Sequence, residues 1–159
     1  MESILTIRAA EPSDLTAIAD LWRALRREHE PYHPCWSASA TWREDLLDEL
    51  RAAAAAGTAV LRVAAEPSGR LAGYCRGRIS PLPAASGEAR IGVIEEVYVE
   101  PGSRDAGIGA TLVGAVIDEL RQAGISRLET TASADNDGAI RFLERARFSL
   151  HNVTLSRDL

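Results

Sequence analysis

The 159-residue sequence predicts a single α/β domain with a mixed, mostly antiparallel central sheet flanked by helices. Three observations carry the prediction. Runs with two-residue apolar alternation are interleaved with runs of helical apolar spacing, so strands and helices share one fold. The strand-like runs 59–66 and 71–80 are separated only by Pro67, Ser68, Gly69 and Arg70, a turn that makes them an antiparallel hairpin. The length suits one hydrophobic core better than two, and no internal repeat is visible.

Residues 4–10 alternate as a strand. Pro12, Ser13 and Asp14 then supply helix start signals, and Leu15, Ile18, Trp22 and Leu25 recur on one helical face. Residues 29–37 are interrupted by two prolines and read as a loop. Thr41 and Glu44 have capping-box spacing for a second helix that ends near Gly57. After the hairpin and a loose loop, residues 90–100 form a third apolar strand. Leu112, Val113, Val116, Ile117 and Leu120 make the buried stripe of a helix that stops at Gly124. A strand is expected at 126–133, a short amphipathic helix at 136–146, and one or two closing strands after 147.

Composition narrows the function classes. Acidic residues outnumber basic ones 23 to 18, for a net charge of −5, which argues against a nucleic-acid partner and suits a cationic small molecule. Every basic residue is arginine, so a lysine nucleophile and a P-loop lysine are both excluded. Cys35 and Cys75 stand far apart in no paired motif and are read as reduced thiols of a cytoplasmic protein. The first residues lack the pattern of a targeting peptide, and no apolar run approaches the roughly 18 residues of a membrane span, so no membrane partner is expected.

The stretch 102–112, Gly-Ser-Arg-Asp-Ala-Gly-Ile-Gly-Ala-Thr-Leu, places a glycine-lined turn between a strand and a helix. Unsatisfied backbone N–H groups and the positive end of the helix dipole converge at such a turn, which makes it an anion site. A tight corner that merely packs the helix on the sheet is the other reading. The dinucleotide fingerprint fails because Leu112 stands where its third glycine belongs, and the P-loop fails for want of lysine.

Residues 104–110, Arg-Asp-Ala-Gly-Ile-Gly-Ala, resemble the R/Q-x-x-G-x-G/A loop of the GCN5-related N-acetyltransferases. The strand Ile-Glu-Glu-Val-Tyr-Val-Glu-Pro before the loop looks like that family's fourth strand. Residues 134–148 look like its N-x-x-A-[IV]-x-[FL]-Y region, and the order of elements matches over almost the whole chain. The resemblance implies acetyl-CoA as cosubstrate, no metal, a small-molecule or peptide amine as acceptor, and a possible homodimer. Backbone amides of Asp105, Ala106, Gly107, Ile108, Gly109 and Ala110 would then bind the pyrophosphate, and Val97 and Val99 would hold the pantetheine arm through main-chain hydrogen bonds. Arg104 either adds a charge-assisted phosphate contact or is a solvated turn residue. Asn136 either lines the cofactor site or simply caps its helix.

Amide formation from a thioester needs a neutral amine, and an amine of pKa near 10.4 is neutral in only about one molecule in a few thousand at pH 7. A base must take that proton. Glu95 and Glu96 interrupt an otherwise apolar strand, a costly place for carboxylates unless they meet a polar cleft. Strand alternation puts the two on opposite faces, so one of them faces the substrate. The resemblance favours Glu95 as base, with Glu96 second, and an N–H near Val97 at a family bulge as oxyanion donor; a structural, ion-paired carboxylate is the alternative. Where many members carry a tyrosine that reprotonates the thiolate, this chain has Leu143, and Arg147 replaces a later glycine. Tyr98, Tyr32 or water remain as donors, and a non-catalytic acyl-CoA-binding regulatory domain remains the alternative function.

Residues 29–33, His-Glu-Pro-Tyr-His, match the letters of a zinc-protease motif. Pro31 between the histidines and Pro34 after His33 prevent the single helical face that zinc needs. Tyr32, His33 and Trp36 are instead read as a substrate-side loop, with plain packing roles as the alternative.

Overall fold

The computed structural model describes residues 5–32, 37–83, 87, 89–155 and 157. Among these residues five strands form one sheet in the order β1-β2-β3-β4-β5, with β1 at Thr6–Ala9, β2 at Ala59–Ala65, β3 at Leu71–Pro81, β4 at Arg90–Val99 and β5 at Leu128–Thr130. The first four pair antiparallel and β5 joins β4 in parallel, so the sheet is mixed and mostly antiparallel as the sequence predicts. Among the described residues four α-helices flank it: α1 at Leu15–His29, α2 at Trp42–Ala55, α3 at Ile108–Gln122 and α4 at Asp137–Arg145. None is long and apolar enough to cross a membrane.

Strand alternation divides the core into two layers. Val63, Tyr74 and Tyr98 point to the face covered by α1 and α2, where Ile18, Leu25, Leu46 and Leu50 meet them. Ala64, Cys75 and Ile94 point to the opposite face, where Leu112, Val113, Val116 and Leu120 of α3 close the second layer. The apolar stripes read from the sequence are therefore the stripes that are buried. Gly77 allows α3 to lie close on β3, because a Cβ there would stand 2.5 Å from Val116 Cγ1. Cys75 is a free, fully buried thiol, and burial pushes its pKa up and so suppresses the thiolate, which leaves it inert.

The first strand and helix are joined by a charged clamp. Arg8 reaches Asp14 through Nη1 at 2.6 Å and Nη2 at 3.0 Å, and the same carboxylate accepts the Glu11 N–H at 2.7 Å. These bonds hold the Asp14 carboxyl below its ordinary range against the opposing cost of burial.

Three expectations need correction. No side-chain capping bond forms at Thr41; its hydroxyl goes instead to Asp45 Oδ2 at 2.7 Å, one turn into the helix. The last strand is only Leu128–Thr130, shorter than the expected 126–133, because its partner β4 diverges from it beyond Ile94. Residues 148–155 form no strand, and Leu150, Val153 and Leu155 are 87, 73 and 91% exposed. Strand-forming side chains need a neighbouring ladder, and the three-residue β5 does not provide one.

Candidate active site

The site begins with a register change. On β3 and β4, Arg76 faces Glu96 while the next pair is Gly77 with Ile94, so Glu95 is the extra residue of a β-bulge. The bulge shifts the phase of the strand. Ile94 packs in the α3 layer, yet Glu95 and Glu96 both line a cleft against α1 and α2. Strict alternation would have put the two carboxylates on opposite faces, and that expectation is corrected here. The bulge lies two residues before Val97.

The second feature is the divergence of β4 from β5, which pair only from Gly92 to Ile94. Glu100 N–H bonds Ala72 O at 2.8 Å, so past the bulge the even-numbered residues turn their backbone groups to β3. Alternation then aims the main-chain groups of Val97 and Val99 at the edge that β5 has left open. A cavity of about 110 Å³ fills this opening, with Val97, Ser133, Asn136 and Leu143 on its walls and His29 and Tyr32 closing it from the end of α1. Asn136 does two things at once, since its Oδ1 also accepts the Ala139 N–H at 3.0 Å and caps α4.

The glycine turn sits beside this edge. Asp105 and Gly107 adopt left-handed backbone conformations, with φ of 63° and 76°. The first bond of α3 runs from Thr111 N–H to Gly107 O at 3.0 Å, leaving the amides of Ile108, Gly109 and Ala110 ahead of it as the unbonded first turn. The two glycines have different reasons. Gly107 needs its φ, and the space where its Cβ would stand is open. At Gly109 a Cβ would come 3.3 Å from Phe142 Cε2, so this glycine admits the α4 side chain. Arg104 does not reach over the turn: Nε donates to Val99 O at 2.8 Å and Nη2 to Glu28 Oε1 at 2.7 Å, with the guanidinium 5.4 Å above the Tyr98 ring. Tyr98 turns its hydroxyl to Glu28 at 3.4 Å and lines neither cavity.

On the other side of the bulge lies the polar cleft of about 400 Å³ between α1, α2 and the sheet. Among the described residues its lining has four carboxylates, Asp45, Glu49, Glu95 and Glu96, against two guanidiniums, Arg26 and Arg76. Trp22 and Trp42 stack at 5.3 Å within it. Glu96 is the deeper carboxylate, its side chain 10% exposed, and accepts the Trp22 Nε1–H at 2.9 Å and the Tyr74 hydroxyl at 3.0 Å. Burial raises its proton affinity above the ordinary carboxylate range, against the pull of Arg76, Tyr74, Arg26 and Trp22. Glu95 is 21% exposed and reaches Arg78 Nε with Oε1 at 2.7 Å; Oε2 lies 2.8 Å from Arg76 Nε but makes no hydrogen bond among the described residues. Arg76 also pairs with Glu49. Glu95 and Glu96 line both the cleft and the smaller cavity.

His33 and Trp36 lie outside the described residues, whereas Tyr32 lines the smaller cavity. Among the described residues no group of three or more His, Cys, Asp or Glu is arranged to hold a metal. Sequence reading missed Trp22, Arg26, Arg76 and His29 as site residues. Trp22 reads as part of the apolar stripe of its helix, which hides its indole N–H. Two signals are present: Arg76 is a cation after five uncharged residues of its strand, and His29 opens the 29–33 motif.

A family model, the acetyltransferase (GNAT) family, matches residues 20–148, and the chain belongs to that family. A mycothiol acetyltransferase of Salinispora tropica is 30% identical over 92% of this chain, and the chain spans only 46% of that relative's length. An acetyltransferase of Trypanosoma brucei superposes with a TM-score of 0.71 at 26% identity, covering 98% of this chain and 100% of that one. A predicted acetyltransferase of Clostridium acetobutylicum, solved with acetyl-CoA, shares the fold with a TM-score of 0.77 at 17% identity over 98% of this chain and 96% of its own.

Proposed function

We propose that the chain is an acetyl-CoA-dependent N-acetyltransferase that moves the acetyl group to a primary amine of a small molecule or peptide by direct attack, with Glu95 as base. The observation that carries this reading is the position of the Glu95–Glu96 bulge, whose carboxylates line both the strand-edge cavity and the acidic cleft. A thioester laid along the open edge of β4 and an amine in the cleft would meet at that point.

Family membership supports acetyl-CoA as the donor. Its pyrophosphate would rest on the amides of 105–110 at the start of α3, and its pantetheine arm on the main chain of Val97 and Val99. Arg104 would have to leave Val99 O for the arm to use that carbonyl, which frees its guanidinium for phosphate. The excess of carboxylates in the cleft favours a cationic acceptor. Glu95 takes the ammonium proton, the neutral nitrogen attacks the thioester carbonyl, and the N–H of Val97 at the open edge receives the developing oxyanion. Glu96, held by Trp22 and Tyr74, keeps the bulge in shape.

A second reading, an acyl-CoA-binding regulatory domain without turnover, is favoured by one observation: Leu143 lines the cavity where a proton donor for the thiolate would stand. Binding of acetyl-CoA is common to both readings. Release of free thiol with a panel of amines separates them, and amine-dependent release is the outcome expected here.

A further inference from the structure

A departing thiolate takes up a proton to become the free thiol, and Leu143 has none to give. The described side chains around the strand-edge cavity offer few donors. Glu95 and Glu96 are carboxylates assigned to other work, and Arg26 is engaged with Glu96 and with the Trp22 ring. Thr130 spends its hydroxyl on Ile94 O at 2.9 Å, and an aliphatic alcohol such as that of Thr131 or Ser133 is a far weaker acid than a thiol. Two groups remain, His29 and Tyr32, which line the same cavity as Leu143.

The pair is organised. Tyr32 N–H donates to His29 O at 2.9 Å, and the two rings meet edge to face with centroids 6.1 Å apart. Burial, with Arg26 nearby, holds His29 below the ordinary imidazole range, so at neutral pH it is an uncharged ring that supports its neighbour. A phenol is an O–H donor whose ordinary acidity is close to that of a thiol, which suits it to pass a proton to sulfur as the C–S bond breaks. The cavity holds only about 110 Å³, and Tyr32 and Leu143 both line it.

We propose that Tyr32, from the turn after α1, is the catalytic proton donor to the departing thiolate, in place of a hydroxyl at position 143. The inference rests on the acetyltransferase reading. As the tetrahedral intermediate collapses, the C–S bond breaks and its electron pair moves to sulfur, which takes the Tyr32 proton. Glu95 passes the ammonium proton to solvent before the attack and then takes the second nitrogen proton from the tetrahedral intermediate. That proton returns through solvent in the cleft to the tyrosinate, so two protons leave nitrogen, one reaches sulfur and one is released to solvent.

The test compares the wild type, Tyr32→Phe and the double variant Tyr32→Phe/Leu143→Tyr at saturating acetyl-CoA, with thiol release for turnover and calorimetry for acetyl-CoA binding. Tyr32→Phe should lower kcat by about tenfold to a hundredfold, near the low end for an acid catalyst because a thiolate leaves easily, while the dissociation constant for acetyl-CoA stays within about twofold. The double variant, with a hydroxyl returned to the same cavity at position 143, should recover most of that loss. An unchanged kcat in Tyr32→Phe, a loss matched by weakened acetyl-CoA binding, or a loss that the double variant does not repair would each overturn the assignment. A wild type that binds acetyl-CoA but acetylates no amine would defeat the acetyltransferase reading itself, and this inference with it.

Discussion

Glu95 and Glu96 are adjacent in sequence and chemically alike, yet the bulge gives them different surroundings. Glu95 is clamped by arginines at the meeting of two cavities, and Glu96 is enclosed by Trp22 and Tyr74. A prediction follows for Glu96. Because burial raises its proton affinity in the folded state, its contribution to stability is present at low pH and is lost as pH rises through the ordinary carboxylate range towards the raised value. Glu96→Gln removes that titration, so the unfolding free energy of the variant relative to wild type should move in the variant's favour from about pH 4 to about pH 7.5. Urea denaturation at both pH values measures it, and a pH-independent difference would contradict the burial argument. Asp14 has the opposite sign, since its hydrogen bonds to Arg8 lower its carboxyl, and the stability it gives is lost as pH falls. Asp14→Asn should cost about 1.5–3 kcal/mol at neutral pH, the usual range for hydrogen bonds to charged groups, and little at low pH. At this scale the sequence showed that two acids break an apolar strand and therefore mark a cleft. It could not show that both face the same way, because nothing in Ile-Glu-Glu-Val identifies which residue the partner strand leaves unpaired.

The elements themselves were largely legible because each has a periodic signal: alternation for β2, β3 and β4, a helical stripe for α1 and α3. What periodicity does not encode is where two strands part. The divergence of β4 and β5 after the Ile94–Thr130 pair opens the cavity, and no residue pattern in either strand marks it. The strand expected after α4 failed for the same reason in reverse, since its residues alternate but have no partner edge of sufficient length. Gly77 tests the packing of α3: Gly77→Ala places a methyl 2.5 Å from Val116 Cγ1 and should cost about 1–3 kcal/mol by urea denaturation, as overpacking does. Gly109 tests the turn. Gly109→Glu brings a carboxylate to the unbonded amides at the head of α3 and should abolish acetyl-CoA binding by calorimetry. Gly109→Ala, which asks only a small shift of Phe142, should bind with at most a modest loss. Equal binding by both variants would move the pyrophosphate site elsewhere.

In the whole molecule, the sheet keeps two kinds of work apart. Its α3 face carries one apolar layer, while its α1–α2 face carries the other together with the acidic cleft. The smaller cavity enters from the edge that β5 abandons and, among the described residues, shares Arg26, Glu95 and Glu96 with the cleft. The net charge of −5 and the excess of carboxylates in the cleft point the same way, towards amines that are cations in solution. The central claim, that Glu95 at this junction accepts the proton of an attacking amine, is tested most directly by amine-dependent thiol release from acetyl-CoA, comparing the wild type with Glu95→Gln across the pH range. The expected result is turnover by the wild type at neutral pH, a loss of about 10²- to 10⁴-fold in Glu95→Gln, and partial recovery at alkaline pH where the amine sheds its proton unaided. Equal rates for the two proteins at neutral pH would contradict it.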